Sequence, residues 1–257
     1  MSTPPSSHRR RTIRSFVRRA GRLTPSQERA LSELWPQFGV DFADAPLDFD
    51  ALFARQAPRV LEIGFGNGES LVQQAGDNPQ LDFIGIEVHE PGIGHCMLQA
   101  HAAGIANLKL MNHDAVEVLA RAIPPASLHR INIYFPDPWP KKRHRRRRLV
   151  NRDFLETLAH YLKPGGDLYF STDFDDYAED VAGQIHALAG YRNMLSTAWT
   201  KVLPGYPVSK YMQRFLERGQ DIYFIHSRRD MAVPRHALPA PVMQRGFRVR
   251  WPIAEND

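Results

Sequence analysis

From residue 59 onward, short apolar runs alternate with longer stretches whose apolar residues recur at helical spacing. Strands that alternate with helices in this way predict a parallel sheet with crossover helices. The predicted strands are Arg59 to Ile63, Phe83 to Val88, Leu108 to Met111, Ile131 to Phe135, Asp167 to Ser171 and Asp221 to His226. The predicted helices are Glu69 to Ala75, Ile93 to Ala103, Ala115 to Ala122, Asn151 to Tyr161 and Asp175 to Ala189.

This pattern predicts an α/β fold, with a doubly wound, mostly parallel sheet in a single domain that carries a basic N-terminal extension. A length of 257 residues with 43% hydrophobic content is enough for one domain with a full core. We assign residues 1–22 to a basic arm that is disordered when free, 23–227 to the domain, and 228–257 to a Pro- and Arg-rich tail. Residues 29–58 show no clear pattern.

The positive charge is concentrated in two places. Residues 1–27 hold seven Arg and residues 141–148 hold seven Lys or Arg, with no acid in either stretch. Because the formal net charge is +5, the rest of the chain is acidic by about nine charges. Concentrated cationic runs predict a polyanionic partner, nucleic acid first and an anionic membrane second. The alternatives are a solvated charged face and, for the N-terminus, a mitochondrial transit peptide.

Cysteine content and hydropathy indicate the compartment. Cys96 is the single cysteine, which excludes a disulfide framework and suits a reducing environment. No apolar run approaches the roughly 20 residues of a membrane span. We therefore expect a cytoplasmic protein without a membrane partner or a metal ion, and the sequence leaves open whether it is a monomer or a homodimer.

Polar residues follow the carboxyl ends of the predicted strands, where ligands bind in doubly wound folds. The first strand contains Glu62 and leads into Gly64, Gly66 and Gly68, which allow a tight turn at the start of a helix. The loop spacing is GxGxG and differs from the GxGxxG of dinucleotide-binding proteins. The sequence therefore predicts a ligand loop at this strand end, of a kind that does not by itself identify the ligand.

Three further carboxylates follow the next strands. Glu87 ends the second strand, where a carboxylate can accept both hydroxyls of a ribose. Asp114 follows the third strand and either accepts from an adenine amine or, as the better explanation of this residue alone, caps the next helix. Asp137 follows the fourth strand. Acids around a glycine loop suit a ligand with an adenosine and a positive charge but no phosphates, which describes S-adenosylmethionine better than NAD.

Six segments together resemble the bacterial tRNA (guanine-N7-)-methyltransferase family, in this order and at similar spacing. They are RRRTIRSFVRRAGRLTPSQERAL, LEIGFGNGES, FIGIEVHEPGIG, NHDAVEVL, FPDPWPKKRHRRRRLV and FSTDFDDYAE. The Pro-Asp-Pro-Trp segment with its Lys/Arg/His run is the most specific of them, whereas the glycine loop indicates only a class I methyltransferase. The resemblance covers about residues 9 to 226.

The resemblance implies an enzyme that transfers a methyl group from S-adenosylmethionine to N7 of a guanine in the variable loop of tRNA, position 46 by tRNA convention. The residues assigned to cofactor binding are Glu62, Gly64, Gly66, Glu87, Asp114 and Asp137, and Asp137 is also the catalytic candidate. The residues assigned to the substrate are Lys141, Asp173, Ser209, Lys210, Tyr211 and Met212. The residues assigned to RNA contact are Lys142, Arg143, His144, Arg145, Arg146, Arg147 and Arg148.

Two positions have alternative explanations. The family has a Thr-Lys-Phe-Glu-like motif where this chain has residues 209–212, so its Glu falls on Met212. Either Glu217 substitutes from the next turn, or one guanine contact is absent. Trp139 either stacks beside the base or is an ordinary core aromatic.

Two other classes of protein compete with this interpretation. One is a non-catalytic RNA-binding protein on a methyltransferase-like fold, which would have no use for four separate strand-end acids. The other is a nicotinamide oxidoreductase. A comparison of S-adenosylmethionine and NAD binding separates all three classes.

Overall fold

The structure, a computed structural model, describes residues 22–204 and 210–241. Its strands are β1 Arg59–Ile63, β2 Asp82–Glu87, β3 Leu108–Asn112, β4 Leu128–Tyr134, β5 Leu162–Thr172, β6 Tyr191–Asn193 and β7 Tyr223–Arg229. Its α-helices are α1 Pro25–Glu33, α2 Trp35–Phe38, α3 Phe49–Phe53, α4 Glu69–Asp77, α5 Glu90–Ala102, α6 Ala115–Arg121, α7 Arg152–Tyr161, α8 Asp175–His186 and α9 Lys210–Glu217. The predicted basic arm lies almost entirely outside these residues.

The strands form one sheet in the order β3-β2-β1-β4-β5-β7-β6. The first five strands in this order are parallel, and β7 runs antiparallel to both of its neighbours. The six predicted strands are confirmed to within a few residues, and the doubly wound, mostly parallel sheet is confirmed with them. The short edge strand β6 was not predicted.

Apolar residues cover both faces of the sheet. On β1, Val60 faces the side covered by α4 and α5, and Leu61 faces the side covered by α6, α7 and α8. Successive side chains of a strand point to opposite faces, so a central parallel strand must be apolar on both. Glu62 follows on the same side as Val60 and is therefore a polar side chain in an apolar layer.

Helix α1, which was not predicted, packs against α5. A capping box begins it, because Thr24 accepts from the Gln27 backbone N–H and the Gln27 side chain accepts from the Thr24 N–H. Gln27 also donates to the Pro91 carbonyl oxygen at 3.0 Å. Gly94 permits the close approach, since a Cβ atom there would lie 3.0 Å from the Gln27 Cβ.

The chain after residue 227 continues to pack against the domain. Strand β7 ends at Arg229, whose buried side chain donates to the carbonyl oxygens of Ala159 and Val233. Leu238 is buried in the core further along. Residues up to Leu238 therefore pack with the domain. The assignment of a separate C-terminal tail stays a prediction. Within the described ranges, no helix has the length and apolar character needed to cross a membrane.

Candidate active site

The carboxyl ends of the five parallel strands lie along one edge of the sheet. The chain winds from β1 outward to β2 and β3 on one side, and to β4 and β5 on the other. The strand order therefore reverses between β1 and β4, and a crevice forms at such a reversal. All five strand ends that carry predicted site residues meet at this edge.

The glycine loop after β1 has a left-handed backbone at three positions. Gly64, Gly66 and Gly68 have φ values of 75°, 59° and 77°. A Cβ atom at Gly64 or Gly66 would meet no heavy atom within 4 Å, so both residues border open space on the strand-end side. At Gly68, in contrast, a Cβ atom would lie 2.3 Å from the Cys96 Sγ. The loop therefore leaves its backbone at Gly64 and Gly66 accessible to a ligand, while its end at Gly68 packs tightly against α5.

Glu62 lies directly under this loop in a buried polar network. Its side chain is 3% exposed, and its Oε2 accepts from Gln74 Nε2 at 3.4 Å. The Gln74 Oε1 in turn accepts from Asn132 Nδ2 at 3.4 Å and from Arg130 Nη2 at 3.3 Å. Burial raises the pKa of Glu62 to about 7, although Asn132, Arg130 and Gln74 oppose the increase. A positively charged ligand nearby would favour the ionised carboxylate.

Glu87 connects the end of β2 to the glycine loop. Its Oε2 accepts from the Gly66 backbone N–H at 2.9 Å, and its Oε1 accepts from the N–H groups of Val88 and His89 at 2.7 and 3.0 Å. A carboxylate has about four acceptor sites, so the Oε2 atom retains capacity for a ligand hydroxyl. Glu87 therefore both shapes the loop and faces the space next to it.

Asp114 is the N-cap of α6. Its Oδ1 accepts from the Val116 backbone N–H at 2.9 Å, which is the capping role favoured from the sequence. The preceding His113 stacks on Phe42 with ring centroids 3.8 Å apart, and it also pairs with Glu117. Asp114 thus lies at the strand edge, directly after a histidine that is held by an aromatic stack.

The loop after β4 has an unusual backbone at two non-glycine residues. Phe135 and Trp139 have φ values of 50° and 43°, which side chains with a Cβ rarely adopt. The Phe135 N–H donates to the Ser171 carbonyl oxygen of β5 at 2.8 Å and so ties the start of the loop to the sheet. Asp137, between these residues, is exposed at the crevice. Strained backbone at a ligand edge is a frequent mark of a functional loop.

Trp139 packs against the basic run and belongs to none of the apolar clusters in the described residues. The Arg147 guanidinium lies 4.7 Å from the centroid of the Trp139 ring, and His144 approaches the ring edge-on at 6.0 Å. The Trp139 side chain therefore joins the Asp137 loop to the cationic surface, and it is half-buried.

The basic run forms a short 3₁₀ helix from Lys142 to Arg147. Arg148 differs from the rest of the run, because its side chain is only 1% exposed and pairs with Asp176 and Asp180. Arg145 also pairs with Asp176 but remains 43% exposed. The assignment of Arg148 to RNA contact is corrected here, because a buried guanidinium that is paired within the protein is not presented to a phosphate.

Lys141 and Asp173 lie beyond the ends of β4 and β5. Lys141 is exposed at the N-cap of the 3₁₀ helix. Asp173 is half-buried and directly follows Thr172, the last residue of β5. Since β4 and β5 are adjacent and parallel, the loops that carry Asp137 and Asp173 border the same crevice.

The motif near the C-terminus is described only from residue 210. Ser209 lies outside the described residues, and Lys210 and Tyr211 are described only as the start of the α9 backbone. Met212 is buried against Ile222 and Phe224, with Phe135 next to this cluster. Glu217 is exposed five positions later, about 140° around the helix at 100° per residue. Glu217 therefore does not occupy the face of α9 that Met212 occupies.

Sequence reasoning missed the polar residues beneath the site. Gln74 and Asn132 were not identified, although Gln74 shares a helix face with the buried Leu71 and Ala75, and a polar residue on an apolar face was the available signal. Asp176 and Asp180 were missed because nothing local marks them as partners of Arg148. No group of three or more potential metal ligands occurs in the ranges that the structure describes.

The fold and this strand-end site define a methyltransferase of the Rossmann-like class. The family model described as "Putative methyltransferase" matches residues 56–225. A solved structure of the 16S rRNA methyltransferase KamB is similar in fold, with a TM-score of 0.52 at 15% identity over 71% of this chain and 93% of that one.

Relatives of higher identity specify the family. The tRNA (guanine-N(7)-)-methyltransferase of Nitrosococcus oceani is 45% identical over 86% of this chain and 92% of its own length. Those of Halorhodospira halophila and Yersinia enterocolitica are 48% and 50% identical over 83% and 82% of this chain, and over 93% and 87% of their own lengths. The chain therefore belongs to the tRNA (guanine-N7-)-methyltransferase family.

Proposed function

We propose that this protein transfers a methyl group from S-adenosylmethionine to N7 of a guanine in the variable loop of tRNA. The observation that carries the proposal is the arrangement at one sheet edge, where a ligand loop, an acidic catalytic candidate and a cationic surface adjoin. The names of the family members support the tRNA substrate and the N7 position. We expect the reaction in the cytoplasm, where tRNA is available and a lone thiol such as Cys96 stays reduced.

The residues around the glycine loop fit S-adenosylmethionine. The open space at Gly64 and Gly66 admits a ligand against the backbone, and Glu87 offers an acceptor for ribose hydroxyls. Glu62 supplies negative charge below the loop for a cationic group, and Asp114 lies at the edge assigned to the adenine. The cofactor would supply an electrophilic methyl group on a positively charged sulfur.

Guanine N7 has an in-plane lone pair and no proton, so its methylation needs no general base. With S-adenosylmethionine bound, the lone pair would form a bond to the methyl carbon as the carbon–sulfur bond breaks, and the positive charge would pass to the purine ring. The positive charge already exists on the sulfur before the transfer. A nearby carboxylate therefore accelerates the step only as far as it attracts the transition state more strongly than the ground state. The protein contributes mainly through orientation of the base.

Asp137 is the residue that we assign to this orientation. It is exposed at the crevice on a loop whose backbone is fixed on both sides by prolines. Its carboxylate can accept from the N–H groups of a guanine and follow the charge that develops on the ring. Lys141 and Asp173 border the same crevice and are proposed to hold the nucleotide.

The exposed and partly exposed cations of the basic run are proposed to hold the phosphates on either side of the target. The members of this set are Lys142, Arg143, Arg145, Arg146 and Arg147. Partial burial and the positive neighbours lower the pKa of His144, so this side chain adds little charge at neutral pH. Phosphate contacts of this kind position an RNA and offset the free energy of turning a base outward.

The proposal is tested by nucleoside mass spectrometry of a tRNA transcript after incubation with the protein and S-adenosylmethionine. We expect 7-methylguanosine in the variable-loop fragment. A matched transcript with 7-deazaguanine in place of guanine has a C–H group at this position and should accept no methyl group. A methylated nucleoside other than 7-methylguanosine, or none at all with tRNA bound, would reject the proposed reaction.

A further inference from the structure

The side chain of Arg148 joins two parts of the molecule that border the crevice. Its Nε donates to the carbonyl oxygen of Pro138 at 2.8 Å, in the loop that carries Asp137. Its two terminal nitrogens pair with Asp176 and Asp180 on α8, the Asp180 contact at 3.4 Å. The guanidinium thus spans from the loop after β4 to the helix after β5.

The same guanidinium has an aromatic support. It lies 4.5 Å from the centroid of the Tyr177 ring, and Tyr177 is fully buried on α8. The Tyr177 hydroxyl accepts from the Val150 backbone N–H at 3.0 Å, which holds the chain just after Arg148. A planar guanidinium can stack on a ring and donate in its own plane at the same time, which a lysine ammonium cannot do.

The loop that Arg148 contacts has few backbone groups with which to hold itself. Three of residues 136–140 are prolines, which have no N–H group. The loop is fixed at its start by the bond from Phe135 N–H to Ser171. The bond from Arg148 to the Pro138 carbonyl oxygen fixes it immediately after Asp137. The position of the Asp137 carboxylate is therefore coupled to this one side chain.

The other end of the bridge is coupled to the substrate side of the crevice. Helix α8 begins two residues after Asp173, so Asp176 lies in its first turn. Asp137 directly precedes Pro138, whose carbonyl oxygen accepts from Arg148 at 2.8 Å, so it adjoins the same cluster. One buried cluster thus sets the separation between the two loops proposed to hold the guanine.

We propose that Arg148 is a positioning residue for methyl transfer, which holds the Asp137 loop at a set distance from α8 through Pro138 and Asp176. The inference rests on the proposed function and adds to it a residue that touches neither cofactor nor RNA. Arg147, the preceding residue, provides the contrast. Its side chain is partly exposed over Trp139, on the surface assigned to phosphates.

Arg148→Met tests the proposal, with Arg147→Gln as the matched control. Each purified variant is compared with the wild type for kcat and KM in tRNA methylation, and for the salt dependence of tRNA binding. We expect Arg148→Met to lower kcat about 10- to 100-fold, since small displacements of a catalytic group have effects of this size. Its tRNA affinity, salt slope and S-adenosylmethionine affinity should stay within about twofold of the wild type. Arg147→Gln should act on binding instead, with a weaker and less salt-dependent tRNA affinity and a raised KM for tRNA.

Two further variants separate positioning from loss of structure. Arg148→Lys keeps the charge but cannot span both partners, so its kcat should fall between those of the wild type and Arg148→Met. Asp176→Asn should also lower kcat, and its combination with Arg148→Met should be no worse than Arg148→Met alone, because both act through one bridge. If Arg148→Met fails to give a cooperative thermal transition, these two variants alone decide the question.

The results that would reject this inference differ from those that would reject the proposed function. An unchanged kcat in Arg148→Lys and Asp176→Asn would overturn the inference, as would a loss in Arg148→Met that consists only of weaker, less salt-dependent tRNA binding. A wild type that forms no 7-methylguanosine would instead reject the proposed function. A wild type that forms it, with variants that lose kcat at unchanged tRNA affinity, would support both.

Discussion

Replacement of Glu62 by Gln should change how the stability of the protein depends on pH. Burial raises the pKa of Glu62 from 4.5 to about 7 in the folded state. At about 1.4 kcal/mol for each pH unit, this difference corresponds to about 3 kcal/mol. Since the folded-state pKa is the higher one, the folded state keeps a proton that the unfolded chain has released. The contribution to stability is fully present below about pH 4.5 and is lost as the pH rises through about 7.

The assay is urea unfolding of wild type and Glu62→Gln across this range. The quantity compared is the free energy of unfolding of the variant minus that of the wild type. Between about pH 5 and pH 8 this difference should increase by about 2.5 kcal/mol, because only the wild type loses the contribution of Glu62. Other titrating groups cancel in the difference because they are common to both proteins. Glu33→Gln, which changes an exposed glutamate on α1, is the control and should show no such trend. A difference that is independent of pH would refute the claim that Glu62 is buried as an acid with a raised pKa.

The same titration predicts the pH dependence of cofactor binding. A cationic ligand favours the ionised form of Glu62, so binding below about pH 7 must release a proton. The affinity for S-adenosylmethionine should therefore fall nearly tenfold for each pH unit below this value in the wild type. The Gln variant should bind more weakly at pH 8 and lose this dependence. Isothermal titration calorimetry at several pH values checks both, and equal slopes for the two proteins would contradict a role for Glu62 next to the cofactor.

Three further predictions concern the strand-end acids and the basic run. Asp137→Ala should fold normally but retain less than about a tenth of wild-type turnover, roughly 1.4 kcal/mol of barrier, and a higher residual rate would remove Asp137 from the catalytic role. Glu87→Ala should weaken S-adenosylmethionine binding, each lost charged hydrogen bond contributing about 1.5 to 3 kcal/mol, and unchanged affinity by calorimetry would make Glu87 purely structural. Replacement of Arg145, Arg146 and Arg147 by Gln should flatten the salt dependence of tRNA binding by up to nearly one log unit per lost phosphate contact, without effect on cofactor affinity. A salt titration with wild-type slope would show that the run is only a solvated surface.

The region before β1 shows where local signals were available and where they were not. Thr24 and Gln27 form a capping box, a motif that can be recognised in the sequence, so the start of α1 was predictable. The short helices α2 and α3 have too few residues to show a period. They are held by the burial of Phe38 and Phe49 against the sheet domain, and helices of this length are not stable on their own.

The sequence by itself determined the alternation of strands and helices, the glycine loop and the row of acids at the strand ends. These features are local, because a period of two or 3.6 residues and a turn chemistry are properties of neighbours along the chain. The parallel topology then follows from the alternation, which is why Glu62, Glu87, Asp114 and Asp137 could be expected at one edge.

Only the tertiary structure decided what each charged residue does. Arg147 and Arg148 are adjacent and identical in type, yet one lies on the surface over Trp139 and the other is buried. The difference depends on Asp176 and Asp180, which are 28 and 32 residues further along the chain. Exposure and pairing are set by residues brought together through folding. The free energy of a charge depends on that environment and not on its neighbours in sequence, so the buried bridge at Arg148 could not be read from the basic run.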